Sequence, residues 1–136
     1  MTEESCQLRW AGQRAVVTLP AEIDVTNAEQ TRQALESAAS HDAAVLIIDM
    51  SRTTFCDSAG VAAIIATHKQ TTAAGTQLRP VAPGVLRILT LVGVDQLAPI
   101  YPTLESALAG TPPAQPSTPD PRDEPGGITA SGDPQA

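Results

Sequence analysis

One uninterrupted apolar run limits the folds that are open to this chain. Residues 44–50 read AVLIIDM, a stretch rich in β-branched residues and without a polar face. A strand with one solvated face alternates apolar and polar residues, whereas a strand without a polar face has to be covered on both sides. The run therefore predicts a central strand in a sheet that has helices packed on it.

Three further segments are predicted as strands of the same sheet. Residues 14–19, RAVVTL, are β-branched and apolar, and residues 6–10, CQLRW, alternate and could pair with them across a turn at Gly12. Residues 76–81, TQLRPV, form a weaker strand. It contains Pro80, which cannot donate to a hydrogen-bond ladder, so this strand is expected at an edge or broken there.

Helical patterns alternate with these strands. Thr26 and Glu29 have the spacing of a capping box and predict the start of a first helix. A second helix is predicted from Ser58 to about Ala74, and a third opens at Pro83. The predicted buried stripe of the third helix comprises Val85, Ile88, Leu89 and Val92.

The alternation of strands and helices predicts an α/β fold, with a mixed sheet of about four to five strands and helices packed on it. Residues 98–101, APIY, are a candidate last strand, and Thr103 is expected to cap a final short helix. Residues 1–110 are expected to form one domain. Residues 111–136 contain seven of the 12 prolines and only one large aliphatic residue, so they are predicted to be a disordered, Pro-rich acidic tail.

The charge of the chain narrows the classes of partner. The net charge is −7, of which the tail contributes −3 because it holds four acidic residues and one basic residue, leaving −4 for the domain. An acidic domain without a Lys/Arg cluster is a poor binder of nucleic acid and of anionic membranes. A basic or mixed-charge protein partner fits better. The start of the sequence has no signal-peptide pattern and no apolar run reaches membrane-span length, so a cytoplasmic location is expected.

No metal or cofactor site is predicted. Cys6 and Cys56 are the only cysteines, and 50 residues separate them without a metal-ligand spacing. Thiols of this kind are usually buried or idle. The sequence also lacks a phosphate-binding glycine loop and paired catalytic carboxylates.

The segment FCDSAG, residues 55–60, carries the functional signal. Ser58 is a good N-cap residue and is expected to cap the second helix. Ala59 and Gly60 are small and are expected to leave the loop surface open. A hydroxyl held at the positive end of a helix is a favourable place for a phosphate, because N–H groups and the helix dipole stabilise an anion there. An ordinary cap without further function is the alternative interpretation of this local pattern.

Four segments stand out in order along the chain, namely PAEID at 20–24, VLIIDMS at 45–51, FCDSAG at 55–60, and LVGVDQL at 91–97 with IYPTLESAL at 100–108. Through these segments the sequence from Val16 to Leu108 resembles the STAS domain family and, within it, the bacterial anti-sigma factor antagonists. Ala21 stands where the family usually has Gly, and the likeness is poorest around Pro80.

The resemblance implies a STAS fold and a partner-switching cycle. The unphosphorylated protein would bind an anti-sigma factor, a serine kinase of the GHKL type, and so release a sigma factor. Phosphorylation of Ser58 would end the binding, and a PP2C-type phosphatase would restore it. Asp24, Asp57, Ala59 and Gly60 would contact the partner. Asp24 could instead be a turn or cap residue ahead of the first helix, and Asp57 could orient the Ser58 loop or simply favour the turn. A monomer is expected by default.

Other classes of function were weighed against this hypothesis. Ser58 as a nucleophile would need a general base, but His68 lies ten residues further along the same predicted helix, about 15 Å away. His41 lies in a polar loop, so an enzyme is not expected. A scaffold of a stress-signalling complex and a small cytoplasmic subunit of a lipid-transport system are alternatives within the STAS fold.

Overall fold

The computed structural model describes residues 6–110, which form two sheets. Four strands make the main sheet in the order β1-β2-β4-β6, and two short strands, β3 and β5, pair separately. The strands are β1 (Gln7–Ala11), β2 (Arg14–Thr18), β3 (Glu22–Ile23), β4 (Val45–Asp49), β5 (Phe55–Cys56) and β6 (Gln77–Val81).

Two long helices and several short ones connect the strands. The 3₁₀ turn Pro83–Val85 leads directly into the third α-helix. The α-helices are α1 (Ala28–Ala39), α2 (Ser58–Ala74), α3 (Leu86–Leu91), α4 (Val94–Leu97) and α5 (Leu104–Ala109).

The main sheet is mixed, as the sequence predicted. β1 and β2 form an antiparallel hairpin, and β2, β4 and β6 run parallel to one another. All five residues of β4 are buried, which confirms the central strand predicted from the apolar run. The mixed sheet with helices packed on it confirms the predicted α/β fold.

Each face of the main sheet has its own hydrophobic core. The larger core packs Val17, Leu46 and Ile48 against helix residues such as Leu35 and Ile64. The smaller core, on the opposite face, is covered by α5. It consists of Val16, Val45, Ile47, Val81, Tyr101 and Ala107, with Leu104 and Leu108 packed against them.

Two arginines of the sheet hold the end of α5. The Arg79 Nη1 atom donates to the carbonyl oxygen of Ala107 at 2.7 Å, and the Arg14 Nη1 atom donates to the carbonyl oxygen of Leu108. Cations near a helix C-terminus complement the partial negative charge of the last carbonyl groups. The sheet thus fixes α5 electrostatically as well as through the smaller core.

Pro80 leaves the edge strand intact. β6 lies at the edge of the sheet, as predicted, and it continues through Pro80, which stands opposite Ile48. The Pro80 carbonyl oxygen accepts from the Tyr101 N–H at 2.7 Å, so the backbone groups of Pro80 face away from β4. The missing N–H therefore costs no bond of the ladder.

Three local predictions are wrong. The segment 98–101 is not a strand, because only Tyr101 pairs with Val81 in an isolated bridge. Ile88 and Val92 do not belong to a buried stripe, since 37 % and 51 % of their surface is exposed. The capping box of Thr26 and Glu29 is absent: the Thr26 hydroxyl donates to Asp24 and Glu29 pairs with Arg32.

Three loops follow the carboxyl ends of the parallel strands and so lie together at one end of the main sheet, which we call the carboxyl edge. The Asp24 loop (residues 19–27) follows β2, and the Ser58 loop (residues 50–60) follows β4. The third loop follows β6 and leads through Pro83–Val85 into α3. The carboxyl edge of a parallel sheet is where α/β folds commonly place their binding residues.

The remaining expectations concern the C-terminal tail, membrane-spanning helices and the two cysteines. The predicted tail, residues 111–136, lies outside the described residues. Among residues 6–110, no helix combines the length and apolarity needed to cross a bilayer. Cys6 and Cys56 are both free thiols.

Candidate functional site

The short parallel sheet of β3 and β5 places Asp24 and Asp57, two acidic residues predicted to contact the partner, at the same end. Glu22 stands opposite Phe55, and Ile23 opposite Cys56. The Asp57 N–H continues this pairing by donating to the Ile23 carbonyl oxygen at 3.1 Å. Asp24 and Asp57 therefore follow the two strands at the same end, and the structure brings the Asp24 loop and the Ser58 loop together.

Asp57, and not Ser58, is the N-cap of α2. The Asp57 Oδ1 atom accepts from the backbone N–H of Ala59 at 3.0 Å and of Gly60 at 3.2 Å. The backbone of Asp57 is extended, with φ −91° and ψ −172°, as an N-cap residue requires. The prediction that Ser58 caps the helix is therefore wrong, because its neighbour already occupies that position.

Ser58 is the first residue of α2 and is exposed to solvent. Because the Asp57 side chain accepts from the N–H groups of Ala59 and Gly60, the Ser58 side chain is not needed to cap the helix. The same bonds alter the expectation for a phosphate, since the N–H groups of Ala59 and Gly60 are already satisfied. The helix dipole still favours an anion on the Ser58 oxygen.

Gly60 is buried, contrary to the expectation that it opens the loop surface. A Cβ atom at this position would stand 2.6 Å from the Cys56 Sγ atom and 2.8 Å from the Ile23 Cγ2 atom. Glycine is required here because the first turn of α2 packs directly on β3 and β5. Ala59, in contrast, is partly exposed beside Ser58.

Asp24 organises the turn that leads into α1. Its Oδ1 atom accepts from the Thr26 N–H at 2.9 Å and from the Thr26 hydroxyl. The Thr26 hydroxyl, followed by the Thr26 N–H, lowers the pKa of the Asp24 carboxyl, so this group is anionic at neutral pH. The Asp24 carbonyl oxygen also accepts from the N–H of Ala28, the first residue of α1. The carboxylate is thus both a turn residue and a fixed charge.

The Cys56 thiol behind the Ser58 loop is a packing group. Burial, with a smaller contribution from the charge of Asp57, raises the pKa of Cys56 to about 11. The thiol is therefore protonated at neutral pH and is a poor nucleophile. Among the described residues, no group of His, Cys, Asp and Glu side chains is arranged to hold a metal ion.

Two exposed apolar residues at the site escaped the sequence analysis. Val25, next to Asp24, is 77 % exposed, and Phe55, in the Ser58 loop, is 46 % exposed. For Phe55 the available signal was the alternation in β5, where Cys56 is buried and its neighbour is exposed. Val25 follows β3 and gave no such signal, because a period of two would place it on the buried side with Ile23. The site therefore combines fixed carboxylates with apolar side chains, a composition suited to contact with another protein.

Comparisons with known proteins agree with this description. The sequence profile of the STAS domain family matches residues 7–107, so the chain belongs to the STAS domain family. No curated protein sequence matches.

Solved structures of anti-sigma factor antagonists are among those that this chain resembles. An anti-sigma factor antagonist from Mycobacterium paratuberculosis matches with a TM-score of 0.70 and 27% identity, over 78% of this chain and 92% of that one. The antagonist SpoIIAA in its unphosphorylated form matches with a TM-score of 0.64 and 23% identity, over 78% and 95% of the two chains. Phosphorylated SpoIIAA, a Bacillus cell fate determinant, matches with a TM-score of 0.60 and 21% identity, over 78% and 98%.

Proposed function

We propose that this chain is a cytoplasmic anti-sigma factor antagonist that phosphorylation of Ser58 inactivates. In the unphosphorylated form it binds an anti-sigma factor, which is a serine kinase of the GHKL type, and thereby releases a sigma factor. The kinase transfers the terminal phosphoryl group of ATP to the Ser58 oxygen, which ends the binding. A PP2C-type phosphatase hydrolyses the phosphoserine and restores the first state.

One observation carries the proposal. The Ser58 hydroxyl is exposed at the start of α2, while the adjacent Asp57 does the capping. A kinase could therefore modify Ser58 without removing a bond that holds the helix. The likeness to anti-sigma factor antagonists supports the kind of partner.

The geometry also supports charge as the means of inactivation. A phosphate adds about −1.5 to −2 charges at neutral pH, next to Asp57 and on the loop that pairs with the Asp24 loop. The satisfied N–H groups of Ala59 and Gly60 offer it no compensation. Because an uncompensated charge forced into an interface costs several kcal/mol, and about 3 kcal/mol corresponds to roughly a hundredfold in affinity, one phosphate is sufficient to release the partner.

The other residues of the site have separate roles in this proposal. Asp24 and Asp57 present fixed negative charge to basic groups of the anti-sigma factor. Ala59 leaves room beside Ser58 for the kinase. Gly60, which is buried, acts through its backbone by keeping α2 close to β3 and β5.

Affinity capture in the organism of origin tests the proposal. Tagged wild type, Ser58→Ala and Ser58→Glu would serve as baits, with partners and Ser58 phosphopeptides identified by mass spectrometry. A GHKL-type kinase should accompany wild type and Ser58→Ala, and its recovery with Ser58→Glu should fall at least about tenfold, since that side chain brings a negative charge into the interface.

A matched control adds the same charge elsewhere. Ser37 is exposed in α1, away from the carboxyl edge, and Ser37→Glu should recover as much kinase as wild type. Equal recovery with all the baits would show that Ser58 is only the first residue of a helix. Recovery of a large assembly of related chains would instead indicate a stress-signalling scaffold, and recovery of a membrane ATPase would indicate a lipid-transport subunit.

A further inference from the structure

The exposed apolar residues of the domain are concentrated in one place. Five of the nine exposed large apolar side chains fall between residues 86 and 97. We call this group the α3 patch; it consists of Leu86, Ile88, Leu91, Val92 and Leu97.

The α3 helix is apolar on its solvent side as well as on its buried side. Its sequence is LRILTL, and its buried residue is Leu89. Leu91 is 76 % exposed, among the most exposed apolar side chains of the domain. Four of its six residues are large and apolar, and three of these, Leu86, Ile88 and Leu91, are exposed. An exposed apolar surface of this kind marks a candidate contact with another protein.

The α3 patch adjoins the Ser58 loop. The 3₁₀ turn that opens α3 contacts β5, which carries Phe55. A Cβ atom on Gly84 of that turn would stand 2.5 Å from the Thr53 carbonyl oxygen, so the two segments are in direct backbone contact. Both segments leave the carboxyl ends of the neighbouring strands β4 and β6.

The size of a typical protein interface indicates that a partner bound at Ser58 also covers the α3 patch. A partner that covers Ser58 in a specific complex buries about 800 Å² of this chain, a surface about 30 Å across if it is flat. Neighbouring strands lie about 4.8 Å apart, so the loops after β2, β4 and β6 span only about 10 Å. A partner seated on Ser58 therefore extends over the adjoining loops.

The charges around the patch favour the same occupant. The α3 helix carries a single charged residue, Arg87, whereas the paired loops carry three acidic residues, Glu22, Asp24 and Asp57, and one basic residue, Arg52. A partner surface with apolar side chains at one end and basic side chains at the other is complementary to this arrangement. A second copy of this chain would instead bring carboxylates toward carboxylates.

We propose that the α3 patch, continued by Phe55, is the apolar half of the surface that binds the anti-sigma factor. This inference rests on the proposed function and assigns different roles to two parts of the binding surface. The carboxylates and Ser58 determine whether the complex forms, and the α3 patch supplies contact area that the phosphate does not touch.

Site-specific photo-crosslinking tests the inference in the organism of origin. A photoreactive phenylalanine analogue would replace Val25 in the Asp24 loop, Leu91 in the α3 patch, or Leu8 in β1, each in a Ser58→Ala background. Leu8 is the matched control because it is an exposed leucine at the opposite edge of the sheet. We expect the same GHKL-type kinase to be crosslinked at Val25 and at Leu91, but not at Leu8.

The other outcomes are distinct. A kinase crosslinked at Val25 but not at Leu91 would overturn this inference and leave the proposed function standing. A second copy of this chain crosslinked at Leu91 would overturn it by making the α3 patch a dimer contact. A GHKL-type kinase at neither position would overturn the proposed function together with the inference.

The kinase that crosslinking identifies can then be purified and its affinity for variants of this chain measured. These affinities distinguish the contributions of the two halves of the surface. Leu91→Ser should weaken binding at least about tenfold, whereas Leu8→Ser should change it less than about twofold. The effect of Leu91→Ser should be nearly independent of salt concentration, while that of Asp24→Asn should shrink as salt screens the charge. An unchanged affinity for Leu91→Ser would overturn the inference.

Discussion

At the scale of single residues, the neighbours Asp57 and Ser58 have different roles. Asp57 satisfies the N–H groups of Ala59 and Gly60, and Ser58 presents an exposed side chain one position later. Either Asp or Ser can cap a helix, so local chemistry does not distinguish them. The deciding contact is the bond from the Asp57 N–H to the Ile23 carbonyl oxygen, which holds Asp57 in the extended geometry of a cap residue.

The division of tasks predicts different effects on stability and binding. Asp57→Ala should lower the free energy of unfolding by about 1 kcal/mol, because the first turn of α2 loses its acceptor. Asp57→Asn keeps an acceptor oxygen and should remain close to wild type in stability, while it removes one charge from the proposed interface. Urea denaturation measures both variants, and an equal loss in the two would show that the charge of Asp57, and not its capping bonds, stabilises the helix.

At the scale of elements, the start of α2 depends on a close contact with the small sheet. The Cα atom of Gly60 faces the side chains of Cys56 and Ile23, and a Cβ atom would approach the Cys56 Sγ atom to 2.6 Å. The position of Ser58 is therefore set by how closely α2 packs on β3 and β5, which no sequence pattern reveals.

Gly60→Ala should consequently be destabilising, although alanine favours helices in general. Overpacking of this kind costs about 1–3 kcal/mol. Cys56→Ala removes the nearest clashing atom, so the double variant should be more stable than the sum of the single effects by at least about 0.5 kcal/mol. Thermal or urea unfolding of the four proteins measures this coupling, and strict additivity would contradict the proposed contact.

The α3 helix shows a second limit of sequence patterns at this scale. Apolar residues at helical spacing indicate a face that is kept from water, but they do not distinguish a face in the domain core from one that awaits a partner. Leu89 and Val85 belong to the core, whereas Ile88 and Val92 do not. The β4 strand was predictable because its sequence has no polar face, so both of its sides had to be covered.

At the scale of the whole molecule, the two faces of the main sheet are stabilised differently. The face toward α1 and α2 has the larger core, and the opposite face has a small core under α5. The Arg79 guanidinium links α5 to the sheet through Ala107 at 2.7 Å and also donates to Gln77 at 2.8 Å. The sequence could not indicate this link, because it joins an edge strand to a helix 28 positions further along the chain.

Removal of that link should weaken the whole domain. Arg79→Met should lower the free energy of unfolding by about 1–2 kcal/mol, because a charge-assisted bond to a helix carbonyl group is lost. Arg9 provides the control: it lies on the same face, opposite Val16, but is exposed, so Arg9→Met should stay within about 0.5 kcal/mol of wild type. Urea denaturation distinguishes the two, and equal effects would show that the charge of this face matters more than the contact with α5.

The hydrogen bonds from the Ala59 and Gly60 N–H groups to Asp57 have a consequence for a chain that is phosphorylated at Ser58. With those groups occupied, a phosphoryl group on Ser58 would be hydrated by solvent and not folded into the domain. The two states would then share one shape and differ in surface charge alone. Dephosphorylation would require no rearrangement of the backbone, and the speed of the return would depend on the phosphatase and not on the protein that it acts on.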